Sequence, residues 1–484
     1  MQQAEATPAQ LRLIALAGAR VAIWGYGREG RAALAALRRH FPANVLTVFC
    51  SDTEASTVAA DWAAGSAGDT EQEPTAPRVD VVTTPPDAAA LSRFEIVIKS
   101  PGISPYKPPM PQAVQAGVRF TSGTALWFAE HPQARTICVT GTKGKSTVTA
   151  LIAHILRQGG LRVALAGNIG LPLLELLDVG GPDQEPAPDW WVIELSSFQT
   201  RDFGGAPTVA VINNLYEEHL DWHATRERYA ADKLAIAARA TRIVVNAQPD
   251  LLAATAANGR RSVFGIAAGW HLADDAIWRG ADRVLPLAGL PLPGLHNAQN
   301  VCAALAAIDA AGLDARLLAT HAATFRPLPH RLQTIGSRDG IDYVNDSIAT
   351  TPYATIEALL SLAGRDTTVL VGGFDRGVKW TAFVDHVGRH PPHAIVTMGA
   401  NGGAIAAALK TIPAPGFRLA SVASLADAVA SARSLTPAGG AIVLSPGAPS
   451  FDQFRDYAER GREFARLAGF DPAPIAQIEG LGIA

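Results

Sequence analysis

Cysteine is scarce in this chain of 484 residues: three occur, at Cys50, Cys138 and Cys302, and no two form a CxxC pair. That excludes a disulfide framework and a thiolate zinc site, and it fits packed, reduced thiols in a cytosolic protein. An excess of basic charge is missing as well. Lys and Arg total 41 against 44 Asp and Glu, a formal net charge of −3. Nucleic-acid binders carry a basic footprint, so no nucleic-acid partner is expected, and any anionic ligand must be met by local features. No uninterrupted apolar run approaches the roughly 18 residues of a membrane span. The opening "MQQAEATPAQ" has no cationic stretch followed by an apolar one, so no signal peptide is read and a cytoplasmic protein is expected.

What is present is enough material for about three domains, with 48% hydrophobic and 18% charged residues. Short Val- and Ile-rich runs recur between helical patterns: "RVAIWG", "VLTVFCSD", "FEIVIKSPG", "TICVTGT", "WWVIELSS", "TVAVINN", "RIVVNA", "DYVNDS", "TTVLVGG", "HAIVTMGA" and "AIVLSPG". Strands buried on both faces read this way, and their alternation with helices implies parallel sheets. The fold class is α/β in three domains: a Rossmann-like N-terminal domain, a central domain like a phosphate-loop ATPase, and a Rossmann-like C-terminal domain. Boundaries near "TSGTALWFAEHPQAR" and "FRPLPHRLQ" give domains 1–125, 126–327 and 328–484. Prolines and charges mark 65–87 and 180–189 as surface loops. Most of the runs end in Gly, Ser, Asn or Asp, at the carboxyl ends where open parallel sheets bind ligands.

Two glycine loops follow strands. "VAIWGYGREGRAALAALRRH" is strand, Gly25-x-Gly27-x-x-Gly30, helix, and Asp52 lies 22 positions after Gly30. In form this is a dinucleotide fingerprint; NAD, another pyrophosphate-bearing nucleotide and a bare tight turn all remain open for it. "TICVTGTKGKSTVTALIAHIL" has only Thr142 and Lys143 between Gly141 and Gly144, two residues short of the common phosphate loop. Strand and helix flank it correctly, so its backbone amides can surround phosphate oxygens. Lys145 can reach the outer phosphates, and Ser146 and Thr147 can approach Mg2+. Downstream strand ends carry Glu194, Ser196 and, in "NNLYEEHLDWH", His219. A carboxylate just past a buried strand suits a hard metal, although a lone acid or histidine is more often structural. Lys233 lies on a helix, where a solvated lysine is the ordinary reading; His296, Asn297 and Asn300 open another helix as caps or contacts.

Together these motifs resemble the Mur ligases, which build the peptide stem of cell-wall precursors. The resemblance spans nearly the whole chain: the short loop at Gly141–Ser146, "GNIG" with Asn168, "ELSSFQ", "EEHLDWH", "DKL", "HNAQN", "PHRLQ", "NDSIATTP", "GGFDRG" and "LSPGAPSFDQFRDYAERGREF". It looks most like the member that adds glutamate to UDP-N-acetylmuramoyl-L-alanine, in peptidoglycan synthesis, as an ATP-dependent, ADP-forming ligase. The resemblance implies that ATP phosphorylates the substrate carboxylate and that the amine of glutamate attacks the acyl phosphate. Gly141, Thr142, Lys143, Gly144, Lys145, Ser146 and Thr147 would hold ATP. Ser146 and Glu194 would serve one Mg2+, and His219 with a carbamylated Lys233 a second. Asn168 would sit near the muramoyl substrate, Asn297 and Asn300 near adenine, and Arg331 and Asp346 near phosphates and ribose. Gly27, Arg28, Glu29 and Gly30, with Asp52 and Thr53, would hold UDP rather than NAD, and Ser196 would touch substrate. A monomer is implied.

The resemblance places the amino acid in the C-terminal domain. Ser450 and Tyr457 would face its side-chain carboxylate, Thr350 and the "GGFDRGVK" loop its α-carboxylate, with Arg376 or Lys379 as the cation. "SFDQFRDYAERGREFARLAGF" reads as an amphipathic helix capped by Ser450, with at least two of Phe451, Phe454 and Tyr457 packed. Ile348 and Tyr457 depart from the best-known members, and "WGYGREGRAA" leans toward a branch that adds L-glutamate, with D-glutamate also open. Rival readings are a folylpolyglutamate synthase-like ligase, which would not need the N-terminal glycine-loop domain, an NAD-dependent oxidoreductase, and a nucleotide-switched binding protein.

Overall fold

The structure, a computed structural model, describes residues 11–64, 79–181, 185–216, 220–256, 259–292, 294–476 and 482–483. Every Val- and Ile-rich run singled out above is a strand. The first sheet holds β1 (Val21–Trp24), β2 (Leu46–Phe49), β3 (Val79–Val82), β4 (Ile96–Lys99) and β5 (Arg119–Thr121). Its order is β3-β2-β1-β4-β5, parallel throughout. The strand order reverses beside β1, the switch point at which doubly wound sheets open a crevice, and the Gly25–Gly30 loop leaves β1 there. β3 corrects the surface-loop reading of 65–87. Its V-D-V-V sequence is only partly covered, as suits an edge strand; 65–78 lie outside the described residues.

The second sheet holds β6 (Thr136–Thr140), β7 (Val163–Gly167), β8 (Trp190–Glu194), β9 (Val209–Ile212), β10 (Arg242–Asn246) and β11 (Arg261–Phe264). Every residue of β6, β7 and β8 is buried, which explains why these strands read as continuous apolar runs. Strands β12 (Trp270–Ala273), β13 (Ala276–Arg279) and β14 (Asp282–Pro286) form an antiparallel meander that periodicity did not reveal. Asp274 and Asp275 both take positive φ, 46° and 56°, the geometry of a two-residue hairpin turn.

The third sheet holds β15 (Gln333–Arg338), β16 (Ile341–Asn345), β17 (Thr367–Val371), β18 (Ala394–Thr397), β19 (Arg418–Ser421) and β20 (Ala441–Leu444), in the order β15-β16-β20-β17-β18-β19. Only the β15–β16 pair is antiparallel. A final strand, β21 (Gly482–Ile483), pairs antiparallel with β7, so the second sheet runs β11-β10-β9-β6-β8-β7-β21.

Backbone contacts divide the chain into two compact units: Met1–Ala288 with Gln299–Ala322 and Gly480–Ala484, and Gly289–Ala298 with Ala323–Glu479. The first two sheets lie in the first unit and the third in the second. Among the described residues no helix is long and apolar enough to cross a membrane.

One helix start needs correction. The last long helix is Tyr457–Ala468, and its cap is Asp456, whose carboxylate accepts from the Glu459 amide at 2.7 Å. Ser450 is buried six residues earlier, where its carbonyl accepts from the amides of Gln453 and Phe454 in a separate turn. Of the three aromatics read as packing, Phe454 packs, partly buried, against the core, whereas Phe451 and Tyr457 are 65% and 40% exposed.

Candidate active site

Sheet register brings four strand ends of the first unit to one rim. Val139 of β6 pairs with Glu194 of β8, Gly167 of β7 pairs with Glu194, and Thr140 pairs with Ile212 of β9. The next residues along these strands are the phosphate loop, Asn168 and Asn213, so the chain's polar strand tails converge there.

The loop needs its glycines. Gly144 caps the helix Lys145–Gln158 in the left-handed region, at φ 76°. A Cβ there would lie 2.5 Å from both Asn213 Nδ2 and Asn300 Oδ1. That crowding reflects a clamp. Asn213 Nδ2 donates to the Lys143 carbonyl at 3.0 Å and to Asn300 Oδ1 at 2.9 Å, while the Lys143 amide donates to Asn214 Oδ1 at 2.7 Å. Asn213 and Asn300 are both buried. Thr142 is tied in as well: its hydroxyl is 2.6 Å from the Tyr229 hydroxyl and accepts from the Tyr216 amide at 2.8 Å. Lys145 Nζ donates to the Thr142 carbonyl at 3.0 Å, and Ser146 and Thr147 are buried in the first helical turn. Of the predicted loop residues, Thr142 therefore serves the loop's own shape. Asn300, expected near a base, is the clamp's far end.

Glu194 is buried at 1% exposure. Asn168 Nδ2 donates to its Oε1 at 2.6 Å. Its Oε2, equally buried, has no hydrogen-bond partner among the described residues. An orphaned buried carboxylate oxygen costs several kcal/mol unless something positive meets it. Mg2+ binds through one or two carboxylates plus phosphate oxygens and water. The orphaned carboxylate oxygen at the end of β8 and the buried Ser146 hydroxyl in the first turn of the helix Lys145–Gln158 are donors of the kind that suits that ion. His219 lies outside the described residues.

Lys233 departs from the ordinary reading of a helical lysine. It is 1% exposed on the helix Arg226–Ala238, and Nζ donates to the Gly141 carbonyl at 2.9 Å and lies 4.9 Å from the Tyr229 ring centroid. Its neighbour Asp232 faces another set of partners. Asp232 Oδ2 lies 2.7 Å from His223 Nδ1, whose Nε2 is 2.9 Å from Ser197 Oγ, and Tyr106 donates to Asp232 at 2.7 Å. Sequence reasoning missed Asn213, Asn214, Ser197, His223 and Asp232, although the strings "NN", "ELSS", "DWH" and "DKL" carried all five.

The glycine loop of the first sheet is tight. A Cβ on Gly30 would meet the Gly25 carbonyl at 2.1 Å, so only glycine lets the helix Arg28–His40 start that close to β1. Gly27 is the N-cap, open on its outer side. Arg28 reaches across to the second sheet's "GNIG" turn, donating to the carbonyls of Gly170 and Asn168, both at 2.9 Å. Glu29 turns inward to Gln199 Nε2 at 3.3 Å, and burial raises its pKa to about 7 against the pull of Arg28. Asp52 begins the exposed first turn of the helix Asp52–Ala64, and the Thr53 hydroxyl is 3.0 Å from that of Ser51. Ser196 is spent on a capping box with Gln199.

In the second unit Asp346 is buried. Ser445 Oγ donates to Oδ2 at 2.8 Å and the Leu332 amide to Oδ1 at 3.2 Å, yet burial still raises its pKa to about 7; nearby Arg331 opposes that rise. Asn297 is buried near the start of the helix Leu295–Ala310, and Thr350 is half-buried before the helix Pro352–Ser361. Arg376 and Lys379 are exposed, and neither makes a hydrogen bond or ion pair among the described residues.

A doubly wound sheet with a glycine loop at its switch point, beside a parallel sheet with a phosphate loop and a buried carboxylate, defines a nucleotide-using α/β enzyme of the phosphate-loop type. The Mur ligase middle domain model matches residues 139–308. The chain is 50% identical over 486 residues to a UDP-N-acetylmuramoyl-L-alanine--L-glutamate ligase of Xanthomonas euvesicatoria pv. vesicatoria (strain 85-10), covering 98% of this chain and 100% of that one. It is 39% identical over 466 residues to a protein of the same name from Salinispora tropica, covering 94% and 98%. Among solved structures, UDP-N-acetylmuramate-alanine ligase MurC from Thermotoga maritima matches with a TM-score of 0.59 at 19% identity, covering 93% of this chain and 99% of that one. A MurF ligase from Thermotoga maritima in complex with ADP matches at 0.54 and 15% identity, covering 94% of each. At those identities the two structures speak for the fold alone. The chain belongs to the Mur ligase family, whose members are ATP-dependent amide ligases.

Proposed function

We propose that this enzyme joins L-glutamate to UDP-N-acetylmuramoyl-L-alanine, with ATP converted to ADP and phosphate through an acyl phosphate, in peptidoglycan precursor synthesis. The carrying observation is the rim at Glu194 and the phosphate loop in a chain 50% identical, over its whole length, to ligases named for that reaction.

The residues divide the work by charge. The substrate carboxylate and the triphosphate are both anionic, so positive groups must offset their repulsion and the charge of the transition state. Loop amides from Gly141 to Gly144 and the Lys145 ammonium would bind phosphate oxygens. The Ser146 hydroxyl and Glu194 Oε2 would hold one Mg2+, and His219 with Lys233 as its CO2 adduct a second. These ions supply electrostatic neutralisation. A carbamate would turn a buried cation into an oxygen ligand beside the loop. Asn168 would orient Glu194 by its 2.6 Å hydrogen bond. Thr147 would back the phosphate site. Gly27, Arg28, Glu29, Gly30, Asp52 and Thr53 would receive UDP, with Ser196 close to the substrate. Asn300 would approach adenine. In the second unit the proposed roles are those the resemblance implies: Asn297, Arg331 and Asp346 toward the nucleotide, and Thr350, Arg376 or Lys379, Ser450 and Tyr457 toward the amino acid. We keep domain limits of 1–125, 126–327 and 328–484, which separate the first sheet, β6–β14 and β15–β20, while β21 pairs back onto β7. A cytoplasmic monomer suits a consumer of ATP and a nucleotide sugar with three free cysteines.

The test is direct: incubate the protein with ATP, Mg2+, UDP-N-acetylmuramoyl-L-alanine and either glutamate isomer, then follow phosphate release and product mass. Turnover with L-glutamate is expected. Turnover confined to D-glutamate would reverse the stereochemical part, and no turnover with either isomer would remove the reading.

A further inference from the structure

Among the described residues Arg460 is the one fully buried arginine of the second unit, at 2% exposure, and no carboxylate there pairs with it. Its Nε donates to Ser347 Oγ at 3.0 Å, and its Nη2 donates to the carbonyls of Ser347 and Ala448 at 2.8 and 3.0 Å. Nη1 has no partner at all among the described residues. The acid whose charge acts on it is Asp452, whose Oδ2 already accepts from the Ala400 amide at 3.0 Å. An uncompensated buried guanidinium costs several kcal/mol, and it persists only where something repays that cost. Here burial drags its pKa down to about 10.

Its position is informative. Ser347 follows β16, Gly373 follows β17 and Ala448 follows β20, so the guanidinium sits at the carboxyl ends of three adjacent strands, where open sheets bind ligands. Nη1 packs against the Gly373 backbone. A Cβ on Gly373 would lie 3.1 Å from it, and Gly373 has a φ of 159°. Ser450, also buried, lies two residues beyond Ala448.

We infer that Arg460 receives the side-chain carboxylate of the incoming amino acid. The α-amine must stay accessible to the acyl phosphate, and the α-carboxylate shares its carbon. The γ-carboxylate is the part of glutamate that can reach a buried floor. This assignment gives the side-chain carboxylate a cation from the last helix, leaves the α-carboxylate to exposed Arg376 or Lys379, and rests on the ligase reading above.

Steady-state kinetics of the full-length enzyme test it. Arg460→Lys keeps the charge but loses the fork, and it should raise KM for L-glutamate by about 30-fold while KM for ATP and for UDP-N-acetylmuramoyl-L-alanine stay within about twofold. Wild type should reject L-glutamine by about 100-fold in kcat/KM, and the variant should lose most of that discrimination. Equal rises in all three KM values, or an unchanged KM for glutamate, would overturn the assignment and leave the ligase reading standing. If circular dichroism shows that the variant does not fold, Ser347→Ala decides, since it removes the hydroxyl that receives Nε: a rise in the KM for L-glutamate alone upholds the assignment, and an unchanged KM overturns it. Absence of any amino-acid-dependent turnover by wild type would remove both.

Discussion

Lys233 shows how little one residue says by itself. On a helix in a chain with 41 basic residues it reads as solvated, yet the fold buries it against the loop carbonyl of Gly141. Lys233→Ala should lower kcat by about 10^3-fold or more, the scale of losing a preorganised electrostatic group. Acetate or formate should restore part of that rate if a carbamate oxygen is what was lost; rescue by neither would leave Lys233 as a packing residue. Asp346 makes a prediction about pH. Its carboxyl has a pKa of about 7 in the fold against an ordinary 3.8, so the folded state favours the protonated form. The stability this contributes is fully present below pH 3.8 and is lost as pH rises through about 7. At roughly 1.4 kcal/mol per pKa unit the loss is on the order of 4 kcal/mol at most. Asp346→Asn should therefore flatten the fall in urea midpoint between pH 5 and pH 8; parallel curves for variant and wild type would contradict the assignment.

At the scale of elements, the phosphate loop was legible because strand, glycines and helix are contiguous. Its clamp was not, since Asn213 and Asn300 lie 87 positions apart. Asn213→Ala removes two buried hydrogen bonds worth about 1 kcal/mol each, so the KM for ATP should rise by roughly 30-fold. The melting temperature should also fall by a few degrees, because Asn300 Oδ1 and the Lys143 carbonyl lose their donor; an unchanged KM would show that the loop holds its shape without the clamp. The last helix illustrates the opposite error. Ser450 looked like its cap because serine caps helices, but Asp456 with Glu459 at N3 satisfies the free amides nearer to where the periodic pattern begins. The first hairpin of the meander β12–β14 escaped notice because its turn uses two aspartates at positive φ rather than the usual glycine; only the second turn carries one, Gly280 at φ 60°.

At the scale of the whole molecule, the same kinetic assay carries a further expectation: phosphate release should require all three substrates together. Steady ATP hydrolysis without the amino acid and the UDP-substrate would favour a nucleotide-switched binding protein. The polar residues that join the first two sheets bear on this coupling. Tyr106, from the segment after β4, donates to Asp232 beside Lys233, and Arg28 bridges to the carbonyls beside Asn168. Neither connection has a local pattern, because the partners lie 126 and 140 positions apart. What the sequence determined by itself was the α/β class, both glycine loops and the polar residues at strand ends, for these rest on local periodicity and on residues that tight turns require. Which strands adjoin, and hence which side chains share a rim, was decided by tertiary structure. Burial did the rest: it isolated Glu194 Oε2, enclosed Lys233 and left Arg460 without a counter-charge, and burial is a property of the packed chain rather than of any one stretch of it.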